Sequence, residues 1–374
     1  MNQTVALLEK LVGFDTVSNK SNLPLVDWAV DLLKRRGARL KLSHDAEGGK
    51  ANILASFGPE MPGGIVLSAH TDVVPVEDQA WNSDPFVLME RSGRLYGRGT
   101  ADMKGFVAAC LAATEGFASA ELARPIHLAF SYDEEVGCWG VPCLIEDLLA
   151  IDPQPALAII GEPTGMRVGD RHRGFFGFRT RFLGHAAHSS DPSAGASAIH
   201  AATALVAKLQ TLGDAQGAGT HRTTFNVGRI EGGTAINIVP SLCEVTWEFR
   251  PAADADTDAL KRDVESFLSS AMPSNIRHET QSLITIPPLA PVAASPAVAA
   301  ALRFGGDHPL LAMPFGTEAG FFQAAGIPSV VCGPGFIAQA HQADEWISLE
   351  QLNRASVFLE RLTNWAEQSH KIYA

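Results

Sequence analysis

The chain has 374 residues, of which 46% are hydrophobic and 19% are charged. This length suggests two domains or one large domain with an insertion, and the composition excludes intrinsic disorder as the state of the whole chain. With 41 acidic against 29 basic residues the formal net charge is −12. A nucleic-acid partner is therefore not expected, because phosphate binding requires a basic surface.

The cysteines and the apolar segments indicate where in the cell the protein is expected. The five cysteines are widely spaced and include no CxxC pair, which is typical of a reduced, cytoplasmic protein. The N-terminal segment is predicted to be an amphipathic helix and not a signal peptide, because Glu9 and Lys10 interrupt its apolar residues. Two long uncharged runs, 283–302 and 319–343, contain several prolines or glycines, so no membrane-spanning helix is expected.

In chain order, the first half alternates helical and extended patterns. These patterns predict a helix over 26–36, strands over 52–57 and 65–70, a helix over 104–116, a strand over 126–132, a helix over 140–150 and a buried strand over 156–161. Such alternation predicts an α/β domain, with a mostly parallel sheet and helices on both faces.

The middle of the chain has a different pattern. Half-exposed strands are predicted over 173–183, 223–231 and 243–250, with helices near 195–211 and 256–270. A strand-helix-strand-strand-helix-strand order indicates a smaller α+β two-layer domain inserted into the α/β domain.

The last part returns to α/β character. The Pro-rich stretch 285–296 ends the insertion, and a long amphipathic helix over 348–368 closes the chain. We therefore predict a first catalytic segment over 1–170, an inserted domain over 171–284 and a second catalytic segment over 285–374.

Histidines and carboxylates follow the predicted strands of the α/β domain. They are His70 and Asp72, Asp102 just before the helix at 104, Asp133-Glu134-Glu135, Glu162 and His341. Because ligands bind at the carboxyl edge of the strands in open α/β sheets, these side chains are expected to converge there. Each motif taken alone is compatible with a solvated turn, a helix start or a core histidine. Their joint placement favours a metal site.

The types of side chain limit which metal ions are expected to bind. Nitrogen and oxygen ligands without a thiolate suit zinc, cobalt or manganese. A carboxylate that bridges would allow two ions about 3.5–4 Å apart.

The motif series SAHTDVVP, GRGTADMKG, DEEVGC, GEPT and AHQADE closely resembles that of the dinuclear-metal M20 amidohydrolases over essentially the whole chain. Within that family, the segments GHAAHSSDP, GTEAGF and CGPGFIAQAHQADE most resemble those of acetylornithine deacetylases. The resemblance implies removal of the N2-acetyl group of acetylornithine to give ornithine and acetate, a step of arginine biosynthesis. A desuccinylase or a general aminoacylase of the same fold is the nearest alternative.

The resemblance also implies a role for each residue of the predicted metal site. His70 and Glu162 would bind one metal, Glu135 and His341 would bind the other, and Asp102 would bridge both. Two divalent ions are implied, with zinc favoured and cobalt or manganese as alternatives.

Two further acidic residues have implied roles. Asp72 would orient His70 through its second ring nitrogen, and Glu134 would be the general base. The Asp102–Met103 peptide bond would be cis, as it is after the matching aspartate of related enzymes.

For the inserted domain the resemblance implies a homodimer with shared sites. His188, favoured over His185 by its spacing to Ser189 and Ser190, would stabilise the oxyanion in the active site of the partner subunit. The alternative is a histidine at a helix start.

The resemblance implies a small-molecule substrate, an N-acyl amino acid. Asn237 and Arg250 would hold its α-carboxylate, and Glu318, where many relatives have Asp, would contribute to the cationic end of its side chain. A surface salt bridge is the alternative for Arg250. A non-enzymatic relative of the same fold should lack ligands, whereas here every expected ligand and the base are present.

Overall fold

The computed structural model describes residues 2–216 and 222–368. They form two compact units. The first unit contains the described parts of 1–171, 291–313 and 317–374, and the second contains those of 172–290 together with 314–316. The boundary predicted at 284 lies within a strand of the second unit that continues to Ile286.

Helices occur along the whole described chain. They are α1 (Asn2–Val12), α2 (Leu23–Arg35), α3 (Lys104–Ser119), α4 (Val141–Leu149), α5 (Ala198–Ala215), α6 (Thr257–Ala271), α7 (Pro296–Gly305), α8 (Ala319–Ala324) and α9 (Leu349–Ala366). Several begin at a side chain that accepts a backbone N–H and so caps the first turn. Ser197, Asp256 and Ser348 do this for α5, α6 and α9.

The strands form three sheets. They are β1 (Arg39–His44), β2 (Ala51–Phe57), β3 (Ile65–His70), β4 (Met89–Arg91), β5 (Arg94–Tyr96), β6 (Ile126–Ser131), β7 (Leu157–Pro163), β8 (Gly169–His172), β9 (Phe175–Leu183), β10 (Thr224–Gly232), β11 (Leu242–Arg250), β12 (Arg277–Ile286), β13 (Leu311–Met313), β14 (Ser329–Gly333) and β15 (Trp346–Ser348).

The main sheet of the first unit has the strand order β1-β2-β6-β3-β7-β14-β8-β13. The four neighbours β6, β3, β7 and β14 are parallel, whereas β1, β2 and β8 pair antiparallel with their neighbours. The central strands are buried along their whole length, as expected for parallel strands covered on both faces. Their carboxyl ends therefore share one edge.

Helices cover both faces of this sheet. Apolar side chains of α1, α2, α3, α7 and α9 form one core cluster with alternate residues of β2, β3, β6 and β7. On the other face, α4 contacts β2 and β6, and α8 contacts β7 and β14. The small residues of α3 allow close packing, and its first eight positions, Lys104–Leu111, are all buried.

The second unit is a two-layer α+β structure. Its antiparallel sheet has the order β10-β11-β9-β12, and α5 and α6 pack on one face. Alternate residues of β11 are buried, which matches the period of a strand with one covered face. The predicted fold class, a mostly parallel α/β unit with an inserted α+β layer pair, is confirmed.

Most predicted elements agree with the structure to within a few residues. The helix predicted over 26–36 begins earlier, at Leu23, with Pro24 in its first turn, where the fixed φ of proline suits a helix start. The fourth strand of the insertion is β12, which alternation did not locate because most of its side chains are exposed. The short strands β4, β5, β13 and β15 were also not predicted, because three residues show no clear hydrophobic periodicity.

The structure bears on the expectations about membrane-spanning helices and about the cysteines. Among the described residues, no helix has the length and apolar character needed to cross a lipid bilayer. All five cysteines are unpaired: Cys110, Cys138, Cys143, Cys243 and Cys332.

We expect buried His127 to make the fold sensitive to acid. Burial lowers the pKa of His127 to about 4, from an ordinary value of 6.5. Its Nδ1 pairs with Ser56 Oγ at 2.8 Å, and its Nε2 has no partner among the described residues. Well above pH 6.5 the ring is neutral in both the folded and the unfolded state. As the pH falls toward 4, the unfolded chain takes up the proton first, so stability is lost.

The test replaces the ring by an amide that does not titrate. Between pH 7.5 and pH 5, wild type should lose roughly 2 kcal/mol of unfolding free energy relative to His127→Gln in urea denaturation. His308→Gln, at an exposed position, serves as the matched control. A pH-independent difference between wild type and His127→Gln would contradict this prediction.

Candidate metal centre

The candidate centre lies where the parallel strands of the first unit end. β3 ends at His70, Glu162 is the second-last residue of β7, and Asp133–Glu135 follow β6. Asp102 lies in the turn before α3, and His341 follows β14. Because these strands end at one edge, their loops bring the predicted side chains together.

One group of ligand atoms comes from His70, Asp102 and Glu162. His70 Nε2 lies 3.1 Å from Asp102 Oδ1 and 4.0 Å from Glu162 Oε1. All three residues are buried. One nitrogen and two carboxylate oxygens therefore face a common point, as the ligands of a small divalent ion do.

A second group uses the other oxygen of Asp102. His341 Nε2 lies 3.2 Å from Asp102 Oδ2 and 3.0 Å from Glu135 Oε2. The His341 side chain is 49% exposed, so this group opens to solvent. Asp102 thus belongs to both groups, and the Asp102–Met103 peptide bond is cis, as the resemblance implies.

His70 is held in the tautomer that a metal ligand requires. Its Nδ1–H donates to the backbone carbonyl of Asp72 at 2.9 Å, so Nε2 of the neutral ring keeps its lone pair. The Asp72 carboxylate lies beside the same nitrogen, with Oδ1 3.6 Å from Nδ1, and its predicted role in orienting His70 stays a prediction. Two histidines and three carboxylates without thiolate fit zinc, cobalt or manganese.

Crowded carboxylates dominate the electrostatics of the centre. Burial and the neighbouring charge of Asp102 raise the pKa of Glu135 to about 7 and hold the pKa of Glu162 well above its ordinary value. Hydrogen bonds to Asp102 and Glu135 raise the pKa of His341 to about 10. So many buried carboxylates require compensating positive charge, which bound cations would supply.

The Asp72 carboxylate holds a loop of the site. Its oxygens accept the backbone N–H groups of Glu134 at 3.1 Å and of Glu135 at 3.3 Å. Ser18 Oγ donates to Oδ2 at 2.7 Å and so fixes Asp72 in turn. The predicted base and the predicted ligand next to it are therefore positioned by one buried acid.

One residue that sequence reasoning missed, Lys50, supports the same loop. Lys50 Nζ contacts both oxygens of Asp133, at 2.5 and 2.6 Å, and the carbonyl of Ser18. Asp133 has a φ of 57°, a left-handed conformation in which a side-chain anchor is useful. The acid-rich DEE turn signalled this loop, but nothing in the sequence pointed to Lys50 as its partner.

Glu134 lies beside the two groups without belonging to either. Burial raises its pKa well above the ordinary value, and the charges of Glu135 and Glu318 add to the shift while His70 opposes it. Cys138 Sγ lies 3.7 Å from Oε1. A carboxylate in such surroundings has the raised basicity that proton transfer near neutral pH requires.

Glu318 is buried next to the strands that carry the candidate ligands. It is 1% exposed, and its carboxylate accepts hydrogen bonds from Ser131 Oγ and from Ser68 Oγ, the latter at 3.2 Å. Both oxygens therefore accept a hydrogen bond inside the protein. The predicted contribution of Glu318 to the cationic end of a substrate side chain stays a prediction.

In the second unit the structure brings His188 and Asn237 together. The backbone carbonyl of Asn237 accepts the N–H of Ser189 at 3.0 Å, and both predicted residues are exposed. The N–H of Ser190 donates to His188 Nδ1 at 3.1 Å, so the neutral ring carries its hydrogen on Nε2. His188 can therefore act as a hydrogen-bond donor.

Arg250 is the last residue of β11. Its Nε donates to Glu248 Oε1 at 3.2 Å, and its guanidinium lies 4.1 Å from the ring centroid of Phe175. The salt bridge considered as its alternative is thus present. The side chain is 34% exposed, so the guanidinium keeps donors for a further partner.

Comparison with known proteins agrees with this geometry. The family model "Peptidase family M20/M25/M40" matches residues 66–364. An acetylornithine deacetylase of Pasteurella multocida (strain Pm70) is 32% identical over 94% of this chain and 93% of its own. A protein of that name from Myxococcus xanthus is 33% identical over 95% of both chains.

Solved structures share the fold at lower identity. An M20 family metallo-carboxypeptidase from Sulfolobus solfataricus superposes with a TM-score of 0.77 at 18% identity, covering 98% of this chain and 100% of its own. A dinuclear metal binding peptidase of the M20 family from Bacillus subtilis gives a TM-score of 0.68 at 16% identity, covering 98% of both chains.

These matches, together with the site at the expected sheet edge, identify the chain as a metal-dependent hydrolase. It belongs to the peptidase family M20/M25/M40. The family resemblance drawn from the motifs is therefore confirmed.

Proposed function

We propose that this chain is a two-metal amidohydrolase that removes the N2-acetyl group of acetylornithine. The observation that carries the proposal is Asp102, which presents Oδ1 to His70 and Oδ2 to His341. The names of the curated relatives support the substrate. A place in arginine biosynthesis and a cytoplasmic location belong to the same proposal.

The ligand groups suggest how two ions would be held. His70 and Glu162 would bind one, Glu135 and His341 the other, and Asp102 both. When bound, the two ions would acidify a water molecule and polarise the amide carbonyl. Zinc fits this donor set best, with cobalt or manganese as alternatives.

Glu134 would carry the proton. Its raised pKa lets the carboxylate accept a proton from the attacking water near neutral pH and then release it to the departing amine. Asp72 fixes the backbone at Glu134, so the carboxylate keeps one position during both transfers. Asn237 and Arg250 are proposed to hold the α-carboxylate of the substrate, which a planar guanidinium suits.

A substrate panel tests the function. The metal-loaded protein should hydrolyse N2-acetylornithine with a higher kcat/KM than N-succinyl-diaminopimelate or N-acetylmethionine. A preference for one of the latter two would show that the proposed substrate is wrong and that the proposed reaction, hydrolysis of an acyl amino acid, is right. Failure to hydrolyse any acyl amino acid would contradict the proposed reaction.

Replacing the base should separate chemistry from metal binding. Glu134→Gln keeps the size and polarity of the side chain, but its amide cannot accept the proton. We expect kcat to fall by at least 10²–10⁴-fold, the usual size of a general-base effect, with both ions still bound. Metal analysis of the purified variant checks this, and loss of an ion would show that Glu134 is a ligand.

We further propose that the chain forms a homodimer in which His188 serves the active site of the partner subunit. The Nε2–H of His188 suits donation to an oxyanion, and removing such a donor usually costs about 10²–10³-fold in rate. The family resemblance supports the sharing. Each site would then take Glu134 from one chain and His188 from the other.

Mixed dimers test the shared site. Glu134→Ala and His188→Ala proteins, each nearly inactive, are unfolded and refolded together. If His188 acts across the interface, a mixed dimer has one intact site, and activity should return toward half of the wild-type value per mixed dimer. Absence of recovery, with mixed dimers demonstrated by differently tagged subunits, would refute sharing.

A further inference from the structure

Glu345 is a buried acid of the AHQADE motif to which no role has been given above. Its Oε1 accepts the backbone N–H groups of Ala101 at 2.8 Å and of Asp102 at 3.0 Å. Its Oε2 accepts the N–H of Gly99 at 2.9 Å and Arg98 Nη1 at 2.8 Å. A carboxylate has about four lone-pair positions, so Glu345 has no capacity left for an ion or a substrate.

Arg98 strengthens this arrangement and extends it to one more segment. It is 1% exposed, and besides Glu345 it donates to the carbonyl of Gln342 at 3.2 Å and to that of Pro75 at 3.3 Å. The rigid, planar guanidinium fixes these donors relative to one another. The buried pair therefore joins the turn before α3 to the segment that follows β14.

That segment also carries His341. The backbone carbonyl of Glu345 accepts the N–H of Gly97 at 2.9 Å, so the segment is tied to the turn by main chain as well as by side chain. His341 itself has a φ of 60°, and its carbonyl accepts Gln79 Nε2 at 3.1 Å. The position of His341 Nε2, 3.2 Å from Asp102 Oδ2, thus depends on loops that meet at Glu345.

We propose that Glu345 is a positioning residue that sets the Asp102 carboxylate against His341. The inference rests on the proposed two-metal function. In the first ligand group, His70 and Glu162 lie within strands β3 and β7 and do not contact Glu345. In the second group, two of the three ligands lie on the loops that Glu345 joins. Loss of Glu345 should therefore weaken the second group more than the first.

Glu345→Gln tests this with little change in size. The amide keeps one acceptor oxygen and places an NH₂ group against backbone N–H donors. Metal-free protein is titrated with Co²⁺ and followed by visible absorption and calorimetry. Wild type should bind two ions. The variant should bind one with near wild-type affinity and the other 10–100-fold more weakly, the usual effect of losing a partner that orients a ligand.

A control and a rescue separate positioning from a general effect on the fold. Glu350→Gln, at an exposed position paired with Arg354, should leave both affinities unchanged. In Glu345→Gln, kcat at stoichiometric Co²⁺ should fall and recover in excess Co²⁺, with KM for the acyl amino acid unchanged. A purely structural defect would lower the apo melting temperature without such rescue.

The outcomes are distinguishable. Unchanged affinities in a folded Glu345→Gln protein would overturn the inference, and so would equal weakening of both sites. If this variant does not fold, Glu345→Asp and Arg98→Lys take its place, and the same selective weakening is required of them. Failure of wild type to bind two ions would instead contradict the proposed function.

Discussion

The sharing of one carboxylate between two histidines governs this site. Asp102 places Oδ1 near His70 and Oδ2 near His341, so each ligand group is complete only through the same side chain. Glu135 and Glu162 then crowd against it, and burial makes their negative charge costly. The centre is consequently a site of high negative charge whose natural partners are cations.

Such crowding persists because other acids hold the surrounding loops. Asp72 accepts two backbone N–H groups of the 133–135 loop, and Glu345 accepts three of the 99–102 turn. Each uses its charge on main-chain donors, which strengthens these hydrogen bonds relative to neutral ones. The candidate ligands are thus supported by a second set of carboxylates that accept backbone N–H groups, and the strands supply the rigid base for both sets.

Much of this could be predicted from sequence because the relevant signals are local. Strand ends are visible as apolar runs, and the carboxyl-edge rule places His70 and Glu162 together without any contact information. Two details required coordinates. Whether the carbonyl or the carboxylate of Asp72 meets His70 depends on about an ångström of loop geometry. The burial of Glu318 depends on Ser68 and Ser131, which are distant from it in sequence.

The candidate metal ligands and the proposed substrate-binding groups lie in different structural settings. The residues that define a metal-dependent hydrolase lie at strand ends and in anchored loops of one unit, where the fold dictates their places. Glu318 is placed by the fold in the same way, because both of its oxygens accept hydroxyl hydrogens from serines of neighbouring strands. The guanidinium of Arg250, proposed above as a substrate-binding group, is partly exposed instead. Exposed loops vary more readily than buried strands, so one metal geometry can serve hydrolases of different substrates.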